Sequence, residues 1–309
     1  MLPDTRPDRA VLVRSRRRTP TIEIILHRKK IKSFILSWAI AEILMESQVY
    51  GIWTQTVAEL MSYRYLGCRS VLGADFEARG EMTLRSDMRH QGSLLAAPVA
   101  IAMLDTAGIA VDRHWQLALT HIDVHLSDTA SGVARLGVLG SMTRQARSQV
   151  FTEATFVDVD QPDTVLGFGT ADWAVIDSTP SGFEYIDPGH GVEDTGSLPP
   201  LASAYDAYPR AGGGLVIDEL TPRLGGFVLH HGPILVTLEA AALEVAGAAA
   251  RVEELSVRIV KAGKQGPFIA TATVLSETAD VRLVRADLHQ GADAVNLIAT
   301  ATVRLGRIR

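Results

Sequence analysis

Two carboxylates stand where apolar side chains are expected. Asp105 lies in AAPVAIAMLDTAGIAV (96–111) and Glu239 in GPILVTLEAAAL (232–243), both otherwise almost wholly apolar. A carboxyl buried without a partner is costly and its pKa rises. Such a residue needs a partner or a chemical role, and proton transfer is what a carboxyl of raised pKa can do. A capping or solvent-facing acid near a helix end is the plainer alternative; recurrence of the acid in two matching stretches favours the role. The residues ahead of each acid supply a second ingredient. RHQGSLLAAP from Arg89 and RLGGFVLHHG from Arg223 both run into a helix start, where free N–H groups and the positive dipole end can hold an anion. His231 and Gly232 can present such N–H groups, whereas Pro98, matched to Gly232, has none. His230 and His231 could also move a proton near neutral pH.

The elements that would position these groups occur twice. The two stretches align without a gap at an offset of 134, placing Gly92 on Gly226, Leu95 on Leu229, Pro98 on Gly232 and Asp105 on Glu239. Alternating segments follow each: LALTHIDVHL (117–126) beside EELSVRIV (253–260), VFTEATFVDV (150–159) beside VRLVRADL (281–288), and TVLGFGTADWAV from Thr164 beside AVNLIATATVRL from Ala294. Period-2 alternation with Val, Ile and Thr predicts half-buried antiparallel strands. The predicted helices, 98–111 and 232–248, are apolar nearly all round and so must be wrapped on most sides. The fold class is α+β, with two copies of a helix wrapped by an antiparallel sheet, at 52–178 and 201–307, related by a pseudo-twofold axis. The Gly-, Pro- and acid-rich stretch 179–200 reads as their linker.

This arrangement resembles a hotdog domain present twice, over roughly residues 52–307. The loop and helix resemble the phenylacetate-pathway type of acyl-CoA thioesterase, whose signature places an acid seven residues after a His-Gly-Gly. Here His230-His231-Gly232 is followed by Glu239 at that spacing. The resemblance implies an acyl-CoA thioester hydrolase of lipid metabolism, cytoplasmic, with no metal and no cofactor beyond the coenzyme A thioester itself. It also implies that the acid acts as general base or nucleophile on the thioester carbonyl, while the other half's helix N-terminus holds the oxyanion. The better site would then pair Asp105 with the His230-His231-Gly232 end. Glu239 would face the Ala96-Ala97-Pro98 end. The family's loop Asn is absent; Arg223 and its counterpart Arg89 stand near its place, with Gln91 as the nearest polar substitute. Gly92 and Gly226 belong to the same substrate loops. Thr120 and Ser256, on the strand after each helix, are where family members can carry a hydroxyl. A hotdog hydratase or dehydratase and a non-catalytic acyl-CoA binder are the competing readings. The spacing of Asp and His on one loop that marks the hydratase branch is missing here. One chain supplies both halves, so the expected unit is a monomeric pseudo-dimer, or a homodimer of such units.

Composition sets the outer bounds. The chain has 309 residues, 47% of them hydrophobic and 21% charged, which excludes a disordered chain or a collagen-like fibre. A single cysteine, Cys68, excludes a disulfide framework and a multi-cysteine zinc site. Residues 1–32 hold ten Lys/Arg against three acids, so of the net −5 the remainder carries −12. That acidic body argues against nucleic acid as a partner. The apolar run 33–45 contains Glu42 and is shorter than the ~20 residues needed to span a bilayer; residues 1–44 read as a dispensable basic tail. His121, Asp123 and His125 alternate along one strand and share a face. The other face, Ile122, Val124 and Leu126, would cover the helix, leaving the polar triplet outside rather than around a metal.

Overall fold

The computed structural model describes residues 52–54, 60–179, 184–247 and 249–308. The basic segment 1–44 therefore lies outside the described residues. Twelve strands form one sheet. In the first half these are β1 (Arg69–Leu72), β2 (Glu77–Thr83), β3 (Trp115–Leu126), β4 (Arg135–Gln145), β5 (Gln149–Asp158) and β6 (Val165–Ser178). In the second they are β7 (Tyr208–Pro209), β8 (Leu215–Ile217), β9 (Ala250–Ile259), β10 (Phe268–Glu277), β11 (Val281–Gln290) and β12 (Asn296–Arg307). The order across the sheet is β7-β8-β10-β11-β12-β9-β3-β6-β5-β4-β2-β1, and every pair is antiparallel. From the β3·β9 seam outward the two halves run β3, β6, β5, β4, β2, β1 and β9, β12, β11, β10, β8, β7. Each strand thus has its counterpart six strands later.

Two long helices carry the apolar stretches, α1 (Ala96–Asp112) and α2 (His231–Ala246). Almost every residue of α1 is buried, as its composition demands. The helix packs on β2, β3 and β4, α2 packs on β10 and β11, and the two helices pack on each other. At the seam Ile122 pairs with Val257 and Val124 with Leu255. All four are fully buried, so one continuous core underlies both helices. His121, Asp123 and His125 take the opposite face. There His121 reaches Asp123, Asp172 and Ser256, and His125 stacks on Phe168 with ring centroids 4.6 Å apart.

Close approach of α1 to the sheet depends on glycine. A Cβ at Gly140 in β4 would lie 3.0 Å from the Ala107 backbone, and one at Gly80 in β2 would lie 2.0 Å from Thr106 Oγ1. Gly140→Val should accordingly destabilise the protein by about 1–3 kcal/mol through overpacking. Thermal unfolding should then show a Tm lower by roughly 2–10 °C; an unchanged Tm would mean that α1 can lift off β4 without penalty.

The segment joining the halves is strapped to the first. Asp187 pairs with Arg69 at 2.9 Å, Val192 N–H donates to the Tyr65 carbonyl, and Asp194 accepts from the Ser86 N–H and hydroxyl. Among the described residues no helix is long and apolar enough to cross a membrane.

Candidate functional site

Each acid faces the start of the opposite helix. Ala96 and Ala97, the first two residues of α1, donate their N–H groups to Glu239 at 2.6 and 3.1 Å, one to each carboxylate oxygen. Glu239 therefore caps α1 from across the helix pair, holding donors that a helix start leaves unsatisfied. Asp105 lies by the start of α2, with Oδ1 3.9 Å from His231 Nε2. That is too far for a hydrogen bond. Among the described residues, neither Asp105 oxygen nor His231 Nε2 has a hydrogen-bond partner, and Asp105 is 5% exposed. No side chain caps the start of α2 from its own N-cap, His230.

The inequality of the two ends has a different origin from the one expected. Counted from the helix starts, Ala96-Ala97-Pro98 corresponds to His231-Gly232-Pro233, so Pro98 matches Pro233 rather than Gly232. The gapless offset of 134 slips by one at this point. Both helices carry proline third, and both offer the N–H groups of their first two residues. The acids differ instead. Glu239 is the ninth residue of its helix and Asp105 the tenth of its own, about 100° further round, and Asp is one methylene shorter. Glutamate reaches across to the facing N–H groups and aspartate does not.

Burial sets the charge states. It pushes the Asp105 carboxyl well above the ordinary range, with Asp112 on the same helix adding to the shift. Burial takes Glu239 up to about 7, against the lowering effect of the Ala97 and Ala96 N–H groups. His230 falls to about 4 through burial, and His231 falls well below its usual value through burial and the neighbouring His230. The two rings lie 3.8 Å apart. The contact between His231 and Asp105 is thus that of a neutral imidazole, not an ion pair.

Each acid opens on a cavity. Asp105, His230, His231 and Gly226 share one of about 510 Å³, which has largely apolar walls that include Tyr63, Trp115 and Trp173. Glu239, Arg89 and Gln91 share another of about 750 Å³, walled on one side by Leu198–Leu201 of the connecting segment. Gly232 packs beneath the single helical turn Met61–Arg64, where a Cβ would meet Ser62 Oγ at 2.1 Å. Four expected residues are not brought to either acid. Ser256 faces outward and bonds His121 at 3.2 Å, because period-2 alternation along β9 puts Leu255 and Val257 inside. Thr120 sits at an irregularity in the β3·β6 pairing and spends its hydroxyl on the Asp172 carbonyl. Arg223 is exposed and reaches Met61 Sδ, while Gly92, at φ +81°, shapes the turn before α1. Arg89 lines the Glu239 cavity, yet its guanidinium holds the carbonyls of Gly92, Ala130 and Val133.

Sequence reading missed three residues around this site. Ser62 Oγ bonds His230 Nδ1 at 2.9 Å, Tyr63 packs edge-on to His230, and Asp112 opens into the same cavity. Asp112 could have been found: it lies seven residues after Asp105, on the same helix face. Nothing in the local sequence points to Ser62 or Tyr63, which lie ahead of the aligned loop-helix stretches.

No protein-family model and no curated protein matches the sequence. Solved structures do. An acyl-ACP thioesterase from Bacteroides thetaiotaomicron superposes with a TM-score of 0.52 at 10% identity, over 74% of this chain and 98% of its own. The TesB protein of Mycobacterium avium subsp. paratuberculosis gives 0.53 at 12%, over 74% and 92%. A conserved protein with the hot dog fold from Alicyclobacillus acidocaldarius gives 0.50 at 14%, over 80% and 97%. At these identities the likeness is one of fold, and the chain has a hotdog-type fold.

Proposed function

We propose that this chain is a tandem hotdog acyl-CoA thioesterase whose halves, 52–178 and 201–307, are related by a pseudo-twofold axis at the β3·β9 seam, and whose working site is the one at Asp105. The single observation that carries the reading is the pairing of a buried carboxyl, without a partner among the described residues, with a facing helix start that no described side chain caps, across a largely apolar cavity. The mirrored strand order and the crossed acid-to-helix arrangement support the tandem description.

The chemistry follows from that geometry. The 3.9 Å gap between Asp105 and His231 suits an oxygen atom bridging the two. In the reaction that oxygen is water's. Ionised Asp105 takes one proton as the water oxygen bonds to the thioester carbonyl carbon. The carbonyl oxygen becomes an oxyanion, held by the His231 and Gly232 N–H groups and the α2 dipole. The carbon–sulfur bond then breaks, and Asp105 returns its proton to the departing sulfur. Neutral His231 orients the water without competing for the proton. The Glu239 end lacks this opening, because its carboxylate already occupies the N–H groups that would hold the oxyanion.

The test is thiol release from acyl-CoAs of graded chain length, followed with a thiol reagent. The expected result is release that a chelator does not slow, with one preferred range of lengths. No release across the panel would end the hydrolase reading, and hydration of an enoyl-CoA in its place would support the hydratase alternative.

A further inference from the structure

Phe227 is 96% exposed, in the loop 225–229, and with Val228 it lines the cavity that holds Asp105. Gly225 and Leu229 form an isolated bridge across this loop, and a Cβ at Gly225 would meet the Val228 carbonyl oxygen at 1.9 Å. The Leu229 N–H donates to the Gly263 carbonyl at 2.7 Å, which fastens the loop to the neighbouring segment 260–264. That segment adds Val260, Lys261 and Lys264, all exposed. The two lysines are the only ones in residues 33–309, and among the described residues neither has an ion-pair partner. Lys261 is also the one lysine or arginine among the described residues that line the cavity. The backbone of Asp218 and Glu219 lies against Gly266, at the Lys264 end of the segment, so Lys261 is the less compensated cation. Phe227 and Lys261 thus share one rim, exposed and next to the start of α2.

We infer that this rim is a nucleotide-binding subsite, in which Phe227 stacks on the adenine of coenzyme A and Lys261, helped by Lys264, holds its phosphates. The inference rests on the hydrolase reading, which puts the thioester at Asp105. From that sulfur the pantetheine arm runs about thirteen bonds to the first phosphorus, up to ~16 Å when extended at roughly 1.2 Å per bond. Phe227 precedes His231 by four residues, so it lies within ~14 Å of the α2 start, inside the reach of the arm. An aromatic ring left in water at the mouth of a cavity gains by being covered, and every base has a face that stacks on one. Charge favours the same rim. The chain beyond residue 32 carries −12 and repels a polyanion in general, whereas a lysine at the cavity mouth gives its phosphates a point charge.

The experiment compares two thioesters of the acyl group released fastest in the chain-length panel. One is the coenzyme A thioester; the other is the N-acetylcysteamine thioester, which has no nucleotide. Wild type should show the higher kcat/KM on the first. Phe227→Ala should cut the ratio of the two kcat/KM values by about fivefold or more, mainly through KM, and Phe227→Tyr, which keeps a ring, should retain it. Lys261→Ala should cut the ratio about two- to fivefold at low salt, a difference that fades toward about 1 M salt. Calorimetry with coenzyme A itself, on the full chain, reads the subsite without turnover, and Phe227→Ala should weaken Kd at an unchanged Tm. A ratio unchanged in both alanine variants overturns the inference and leaves the hydrolase reading standing. Weaker coenzyme A binding in the variants, with no thiol release from either thioester, does the opposite. Neither release nor binding overturns both. Equal losses on the two thioesters would make Phe227 and Lys261 part of the acyl cavity and also overturn the inference.

Discussion

Asp105→Asn should lower kcat for thiol release by about 10²–10⁴-fold, the usual size of a general-base contribution. Far-UV circular dichroism should not change, because amide and carboxyl share a shape. The site around Asp105 already favours a neutral group, both its oxygens being buried and without a partner among the described residues. Asparagine therefore removes the base without removing a structural bond. Glu239→Gln is the contrasting substitution. Its carboxylate accepts the N–H groups of Ala96 and Ala97, and an amide can accept only on its oxygen. One N–H then faces an NH₂ group, at a stability cost of about 1–3 kcal/mol. The loss should be read in Tm far more than in kcat. Equal kcat losses in the two variants would mean two working sites. A larger loss in Glu239→Gln would move the chemistry to α1. Normal kcat in both, in a protein that releases thiol, would place the chemistry outside the acid pair.

What could be read from the residues was whatever repeats. Two interrupted apolar stretches followed by alternating segments were enough for two helices under an antiparallel sheet; the crossing of the acids came only with the resemblance to a doubled hotdog. Ile122, Val124 and Leu126 were legible as the inner face of β3, because alternation there is strict. One residue of slippage was not legible. Leu95 aligns with Leu229 by identity, yet it is the N-cap of α1 as His230 is of α2. That residue decides which acid can reach the facing N–H groups, and the proline argument dissolved with it. Thr120 failed for a related reason, since an irregular pairing interrupts the alternation used to assign faces. Ser62 and Tyr63 come from a turn ahead of the stretch that aligns from Arg89, and they reach the start of the second helix. A contact of that kind, 168 residues long in the case of Ser62 and His230, leaves no periodic trace.

Activity and stability should respond to pH in opposite directions through Asp105. The base works ionised, and burial together with Asp112 raises its pKa well above the ordinary carboxyl value. Below that raised pKa, kcat/KM should climb about tenfold per pH unit; in Asp105→Asn this limb should be absent. The groups facing Asp105 are His231 from α2, Asp112 on its own helix, and Tyr63, Tyr205 and Cys68. The two tyrosines and the thiol are themselves raised and stay neutral. His231 is lowered and also neutral, which leaves Asp112, raised to about 7, to titrate alongside. For stability, a carboxyl raised on folding is neutral in the folded chain where the unfolded chain is already ionised. Its contribution is fully present below the unfolded pKa of about 3.9 and is lost as pH rises through the folded pKa, by roughly 1.4 kcal/mol per pH unit in that window. His230 and His231 act the other way, their contribution being lost as pH falls below about 6.5, so the wild-type Tm alone is ambiguous. The Tm difference between Asp105→Asn and wild type isolates the aspartate. It should grow in the variant's favour as pH rises from about 4, over the same range in which wild-type kcat/KM increases. A difference that stays flat from acid to neutral pH, or a rate without the ascending limb, would show that Asp105 is ionised throughout and would remove it as the titrating base.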